Sequence, residues 1–219
     1  MSRIYLALGL FATSLLVANV VIGLTGGDTN AAAGEYRQAM ADLAEAERQQ
    51  IPGQPPSQQL KTARQGFAAE AEKYQPVRSR QTLHFLLGLL AALVTLLLNS
   101  ISLTYFLGTG RWCREVTEAY GLDPILIDRS KQIKRRNYPW WMMVNCALLA
   151  IIILGGASDP SANTTNSGIW VLPHRLVAIA GTCLIASAFL KQVGLVGEHY
   201  QLIDEILELV EEKTEQAGG

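Results

Sequence analysis

The chain has 219 residues, 49% hydrophobic and 17% charged, with a formal net charge of -1. A near-neutral chain of this kind points to no class of charged partner, and no nucleic-acid partner is expected. Its three cysteines, Cys113, Cys146 and Cys183, are odd in number and form no C-x-x-C pair, which excludes a disulfide framework and a zinc pattern; no metal site is expected.

The apolar residues gather into four long blocks, and almost all the charge lies between them. A bilayer core needs about 20 mostly apolar helical residues. Residues 4–24 supply the first block without a charge. Ala31, Ala32 and Ala33 offer a small-residue cleavage site after it. The apolar run is longer than a secretory h-region, however, and Arg3 alone makes the basic flank, so residues 1–25 read as an uncleaved signal anchor.

Residues 26–80 read as a helical hairpin. Gly26 and Gly27 end the first span, and Asp28, Thr29 or Asn30 caps a helix running to about Gln50. The stretch Ile51-Pro-Gly-Gln-Pro-Pro is a breaker, and Ser57 caps a second helix. Leu60, Ala63, Phe67, Ala71 and Tyr74 recur there at helical spacing. Both apolar stripes are thin and Ala-rich, so the two helices lean on each other and on a neighbouring subunit.

Residues 81–107 form the second uncharged block, and 139–157 the third. Between them, 108–138 carries seven basic residues: Arg111, Arg114, Arg129, Lys131, Lys134, Arg135 and Arg136. The fourth block, 169–191, has Arg175 near its start, where the long side chain can snorkel to the interface. The short loop 158–168 has no basic residue. Basic residues are retained on the cytoplasmic side of short loops. Segment 108–138 is therefore inside and 158–168 outside, with both termini cytoplasmic. Residues 26–80 also hold seven basic residues, but seven acids balance them. Tyr138, Trp140 and Trp141 mark an inner interfacial belt, and Trp170 the outer end of the fourth span.

The fold class expected is all-α. It is a polytopic membrane protein with four transmembrane helices, an outer helical hairpin and cytoplasmic helical extensions. Helix is the required form because lipid leaves no other backbone partner outside a closed barrel, and the blocks lack barrel alternation. Residues 192–219 continue the fourth span as an amphipathic helix with seven acids against Lys213 alone. That acidic tail and the basic segment share a compartment and are expected to pair. The localisation expected is the cell (inner or plasma) membrane.

Polar residues within the spans are the candidate sites. Asn99 and Asn145 fall at depths that agree within about 3 Å and suggest an interhelical hydrogen bond, or a pore lining with Ser100 and Thr104. His84, His174 with Arg175, and Asn19 form a second layer nearer the outer surface. Two imidazoles from different helices could ligate a haem b axially or hydrogen-bond a quinone; neither cofactor is the leading expectation. Lys131, Lys134, Arg135, Arg136, Trp140 and Trp141 set the topology or meet anionic lipid headgroups. Asn163-Thr-Thr fits a glycosylation sequon, and Gly108-Thr-Gly-Arg lacks the spacing of a phosphate loop. No Ser/His/Asp set, carboxylate pair or nucleotide fingerprint occurs, so no catalytic residue is expected.

Three functional readings follow. The leading one is a non-enzymatic accessory or scaffold subunit of a membrane assembly, with protein partners or copies of itself. The second is a redox subunit binding haem or quinone through His84 and His174. The third is an oligomeric channel or small transporter.

Overall fold

The computed structural model describes residues 2–162 and 166–218. The sequon at Asn163 lies outside the described residues. Five helices carry the chain: α1 (Ser2–Thr25), α2 (Thr29–Arg48), α3 (Gln58–Ala119), α4 (Ile125–Ser158) and α5 (Val171–Gly218). Two single 3-10 turns, Pro160–Ala162 and Ser167–Trp170, lie between α4 and α5. The fold is all-helical, with no strand among the described residues. Helices α1, α3, α4 and α5 each hold a stretch long and apolar enough to cross a membrane.

Three of these helices far exceed that need. At 1.5 Å per residue the 62 residues of α3 extend about 93 Å and the 48 of α5 about 72 Å, against a hydrocarbon core of about 30 Å. Neither Gly108 nor Gly110 interrupts α3, and Pro76 lies within it. What ends α3 is Gly121, whose φ of +60° suits a residue without a Cβ. Leu122 N then bonds Thr117 O at 2.9 Å and Gly121 N bonds Glu118 O at 3.3 Å, the paired bonds of a Schellman cap. Lys213 of α5 donates to the Tyr120 and Gly121 carbonyls at 3.0 and 2.8 Å, placing a cation on the negative end of α3.

The basic segment before Pro139 is helical, and α4 passes through the proline without a break. Leu126, Ser130, Ile133 and Asn137 repeat at four, three and four residues and are all buried, which gives this stretch a packing face of its own. Pro139 costs the helix the bond to the Arg135 carbonyl. Both residues are exposed, so that carbonyl can find another partner. Pro173 is the third residue of α5, in the first turn, where the missing N–H has no intrahelical role.

Neighbouring helices run antiparallel: α1 against α3 and α5, and α4 against α5 and α3. Two apolar clusters fill the bundle. One joins all four long helices through Tyr5, Ala12, Leu98, Val144, Leu148, Ile185 and Phe189. The other lies beyond the start of α1 and joins only α3, α4 and α5, through Phe106, Leu126, Ile133, Leu202 and Ile206. Trp140 packs against both. At the opposite end, α2 and the first part of α3 form a hairpin closed by Tyr36, which stacks on Tyr74 at 4.9 Å and meets Phe67 at 5.6 Å.

Candidate functional site

The polar side chains of the bundle fall into three tiers. The middle tier ties all four long helices together. Tyr5 Oη of α1 donates to Gln192 Oε1 of α5. Gln192 Nε2 donates to Asn99 Oδ1 of α3 at 3.3 Å. Asn99 Nδ2 donates to the Trp141 carbonyl of α4 at 3.1 Å. Asn145 Nδ2 reaches that same carbonyl at 2.8 Å. Asn99 and Gln192 are fully buried. Asn99 and Asn145 thus meet through a shared backbone acceptor, and their amides are engaged in helix contacts. One turn below, Asn137 Nδ2 donates to Ser102 Oγ at 3.3 Å, adding a second α3–α4 bond. Ser100 and Thr104 do not join this tier: Thr104 Oγ1 bonds the Ser100 carbonyl within α3.

The tier nearest the hairpin holds the histidine pair. His84 and His174 lie edge to face, with ring centroids 6.4 Å apart and planes at 73°. His84 Nδ1 lies 3.1 Å from the Asn19 carbonyl, which can only accept, so Nδ1 carries a proton. His174 Nδ1 is buried with no partner among the described residues. Glycines make the room for these rings. A methyl group on Gly23 would lie 2.8 Å from His84 Cε1, and one on Gly155 would lie 3.1 Å from His174 Cε1. Asn19 fits the same way against Gly88, where a methyl would lie 2.9 Å from Nδ2. Arg175 is half-buried and has no ion pair among the described residues. Two imidazoles at this separation can present nitrogens to one shared ligand. No group of three or more metal-ligating side chains occurs among the described residues.

The third tier centres on His199, fully buried between α3, α4 and α5. Its Nε2 lies 2.9 Å from Ser130 Oγ. The rings of Tyr105 and Phe106 stand edge to face against it at 5.7 and 5.5 Å. Its Nδ1 is buried without a partner among the described residues. Burial in this apolar surround pushes the imidazole below its ordinary 6.5, so the ring is neutral at pH 7. Burial also raises the Cys113 thiol, with a hydrogen bond to Ser130 opposing it, which keeps the sulfur protonated.

The basic residues of α4 divide by face. Arg129 pairs with Glu205 at 2.7 Å and Arg136 with Glu198 at 2.8 Å, both on α5. Lys131 pairs only within its own helix, with Asp128 at 3.0 Å. Lys134 and Arg135 are exposed and have no ion pair among the described residues. Trp141 stacks on Tyr138 at 5.9 Å.

Several members of these tiers escape a reading of the sequence. Gln192 follows Lys191, and that charge marks it as tail rather than span. Tyr5 reads as one more aromatic of an apolar block. His199 reads as part of an amphipathic stripe, and Ser130 as part of a basic loop. The sequence signal was the recurrence of Leu126, Ser130, Ile133 and Asn137 at helical spacing. No known protein family, curated protein or solved structure matches the chain.

Proposed function

We propose that the chain is a non-enzymatic integral membrane protein that crosses the cell membrane four times with both termini in the cytoplasm. It acts as an accessory or scaffold subunit of a membrane assembly. The orientation rests on the seven basic residues of 108–138 against none in 158–168. The hairpin then projects on the outer side.

The observation that carries the scaffold reading is how that hairpin is held. Arg37 Nη1 donates to the Pro160 carbonyl at 3.1 Å, Asn30 Nδ2 to the Ser158 carbonyl at 3.3 Å, and Gln81 Nε2 to Asp159 Oδ1 at 2.7 Å. These bonds fix the hairpin on the bundle. Beside its aromatic closure runs a groove of 590 Å³ lined by Ala39, Ala46, Thr62, Ala63 and Phe67 among others. A fixed arm whose groove sets Ala39, Ala46, Ala63 and Gly66 beside a polar edge of Asp42 and Glu45 suits a partner helix or a second copy, because small residues allow close backbone approach and the acids offer polar contacts. The test is the native mass and composition of the complex extracted in a mild detergent. Co-purifying subunits, or a homo-oligomer broken by Ala63→Arg, support the reading. A lone monomer with no partner sinks it. Cysteine labelling from each side of the membrane tests the orientation.

One observation favours a second reading, a redox subunit that takes haem or quinone. His84 and His174 stand together from two helices, with Asn19 orienting one ring. His84 and His174 would hold such a group, supplying nitrogen donors to a haem iron or a hydrogen bond to a quinone carbonyl. A Soret band or bound quinone lost in both His84→Ala and His174→Ala supports it. A colourless, quinone-free protein from native membranes rejects it.

A further inference from the structure

A second groove opens between α4 and α5, where the middle polar tier gives way to the His199 tier. It measures 530 Å³ and is lined by Arg136, Trp140, Leu190, Lys191, Gly194 and Glu198, with Leu195 behind them. Lys191 is exposed and makes no hydrogen bond or ion pair among the described residues. Arg136 holds Glu198 through Nη1 alone, at 2.8 and 2.9 Å, so its Nε and Nη2 have no acceptor among the described residues. Two cations against one carboxylate leave the groove with an excess positive charge. A methyl group on Gly194 would meet nothing within 4 Å, so the floor of the groove is open. Leu190 is 62% exposed at its upper edge, where the charged rim gives way to the apolar face of α5. Trp140 forms the opposite wall, and the indole is a side chain suited to the boundary between hydrocarbon and headgroups.

We propose that this groove binds the headgroup of an anionic phospholipid. The lipid phosphate sits between the Lys191 ammonium and the free edge of the Arg136 guanidinium, and an acyl chain runs along Leu190 and Trp140. Lys191 supplies a mobile point charge, and Arg136, already oriented by Glu198, supplies a planar pair of donors at small entropic cost. Free phosphate could meet the same two cations, but only a lipid also uses the apolar edge. The inference rests on the membrane-spanning reading and adds a defined headgroup site to it.

The test is a lipid titration of the full-length chain in mild detergent, read by native mass spectrometry. Phosphatidylglycerol is compared with phosphatidylcholine, with inorganic phosphate as competitor. Phosphatidylglycerol is expected to bind in preference, and Lys191→Gln to weaken it about fivefold, the worth of one basic side chain at an anionic surface. Phosphatidylcholine binding is expected to stay unchanged. Gly194→Leu, which fills the floor, gives a second expected loss without altering charge. Equal retention of the two lipids overturns the proposal, as does a Lys191→Gln and Gly194→Leu pair that binds like wild type. Displacement of the lipid by millimolar phosphate overturns the choice of lipid as ligand. Carbonate washing of membranes separates the two levels: a resistant chain without headgroup selectivity rejects the groove alone, while a chain released to the soluble fraction rejects the spanning reading itself.

Discussion

Replacing Asn99 with leucine is the sharpest test of the middle polar tier. Asn99 is the central member of the relay, accepting from Gln192 at 3.3 Å and donating to the Trp141 carbonyl at 3.1 Å. Leucine fills a similar volume, so no large cavity opens; what changes is hydrogen bonding. Interhelical bonds of this kind average about 0.6 kcal/mol and reach about 1.7 kcal/mol in membrane proteins. Both bonds are on the long side of the normal range, which places each toward the lower value. The substitution also strands Gln192 Nε2, fully buried, for which the penalty is about 1–3 kcal/mol. The expected total is about 2–4 kcal/mol, dominated by the stranded amide. A double-mutant cycle isolates it. Gln192→Leu alone strands the Tyr5 hydroxyl and Asn99 Oδ1, and the double variant no longer strands an amide against its partner. The two losses are therefore expected to be sub-additive by about 1 kcal/mol. The assay is reversible unfolding in mixed micelles followed by circular dichroism. Losses that add to within about 0.3 kcal/mol would show that the two side chains do not bond, and the relay would be refuted.

His199 gives a pH dependence whose sign follows from its lowered pKa. The unfolded chain takes up the proton first, so stability is full above about 6.5, falls as pH drops through that value, and stops falling below the folded-state pKa. Thermal unfolding between pH 7.5 and 5 should show that loss in wild type and a flatter profile in His199→Leu; equal slopes would remove His199 as the cause. Gly23→Ala is expected to destabilise by about 1–3 kcal/mol, because its methyl would stand 2.8 Å from a His84 ring held by Asn19. Gly34→Ala has open space and is expected to stabilise α2 by up to about 1 kcal/mol, so unfolding shifts of the same sign for both would contradict the packing at Gly23. The Arg129–Glu205 and Arg136–Glu198 pairs are exposed, so each charge-removing variant should cost less than about 1 kcal/mol, and that cost should shrink in high salt. A salt-independent loss larger than that would mean the pairs are far less solvated than they are here.

The hairpin and the helix stops were open to reading because each depends on neighbours in the chain, whereas the acidic–basic pairing, between residues 62 and 76 apart, was legible only as opposite charges in one compartment. Ile51-Pro-Gly-Gln-Pro-Pro breaks a helix by local stereochemistry, and Gly121 ends α3 because only its own φ decides it. The basic residues before Pro139 were harder. A proline reads as a boundary, yet here the carbonyl it strands is on an exposed face, and the buried stripe of Leu126, Ile133 and Asn137 carries the helix through.

The sequence by itself determined that the chain is helical and that four of its helices are apolar enough for a membrane, because length and apolarity are sums over consecutive residues. Equal depth likewise follows from counting, which put Asn99 with Asn145 on the antiparallel α3 and α4 and His84 with His174 on the parallel α3 and α5. Only the tertiary structure decided which way each side chain faces around its helix. That rotation brought Tyr5 and Gln192, 187 residues apart, into one relay, made Asn99 and Asn145 share the Trp141 carbonyl, and left Lys191 beside Arg136 at the rim of a groove. Depth is a one-dimensional property of the chain; facing is set by the packing of all four helices at once.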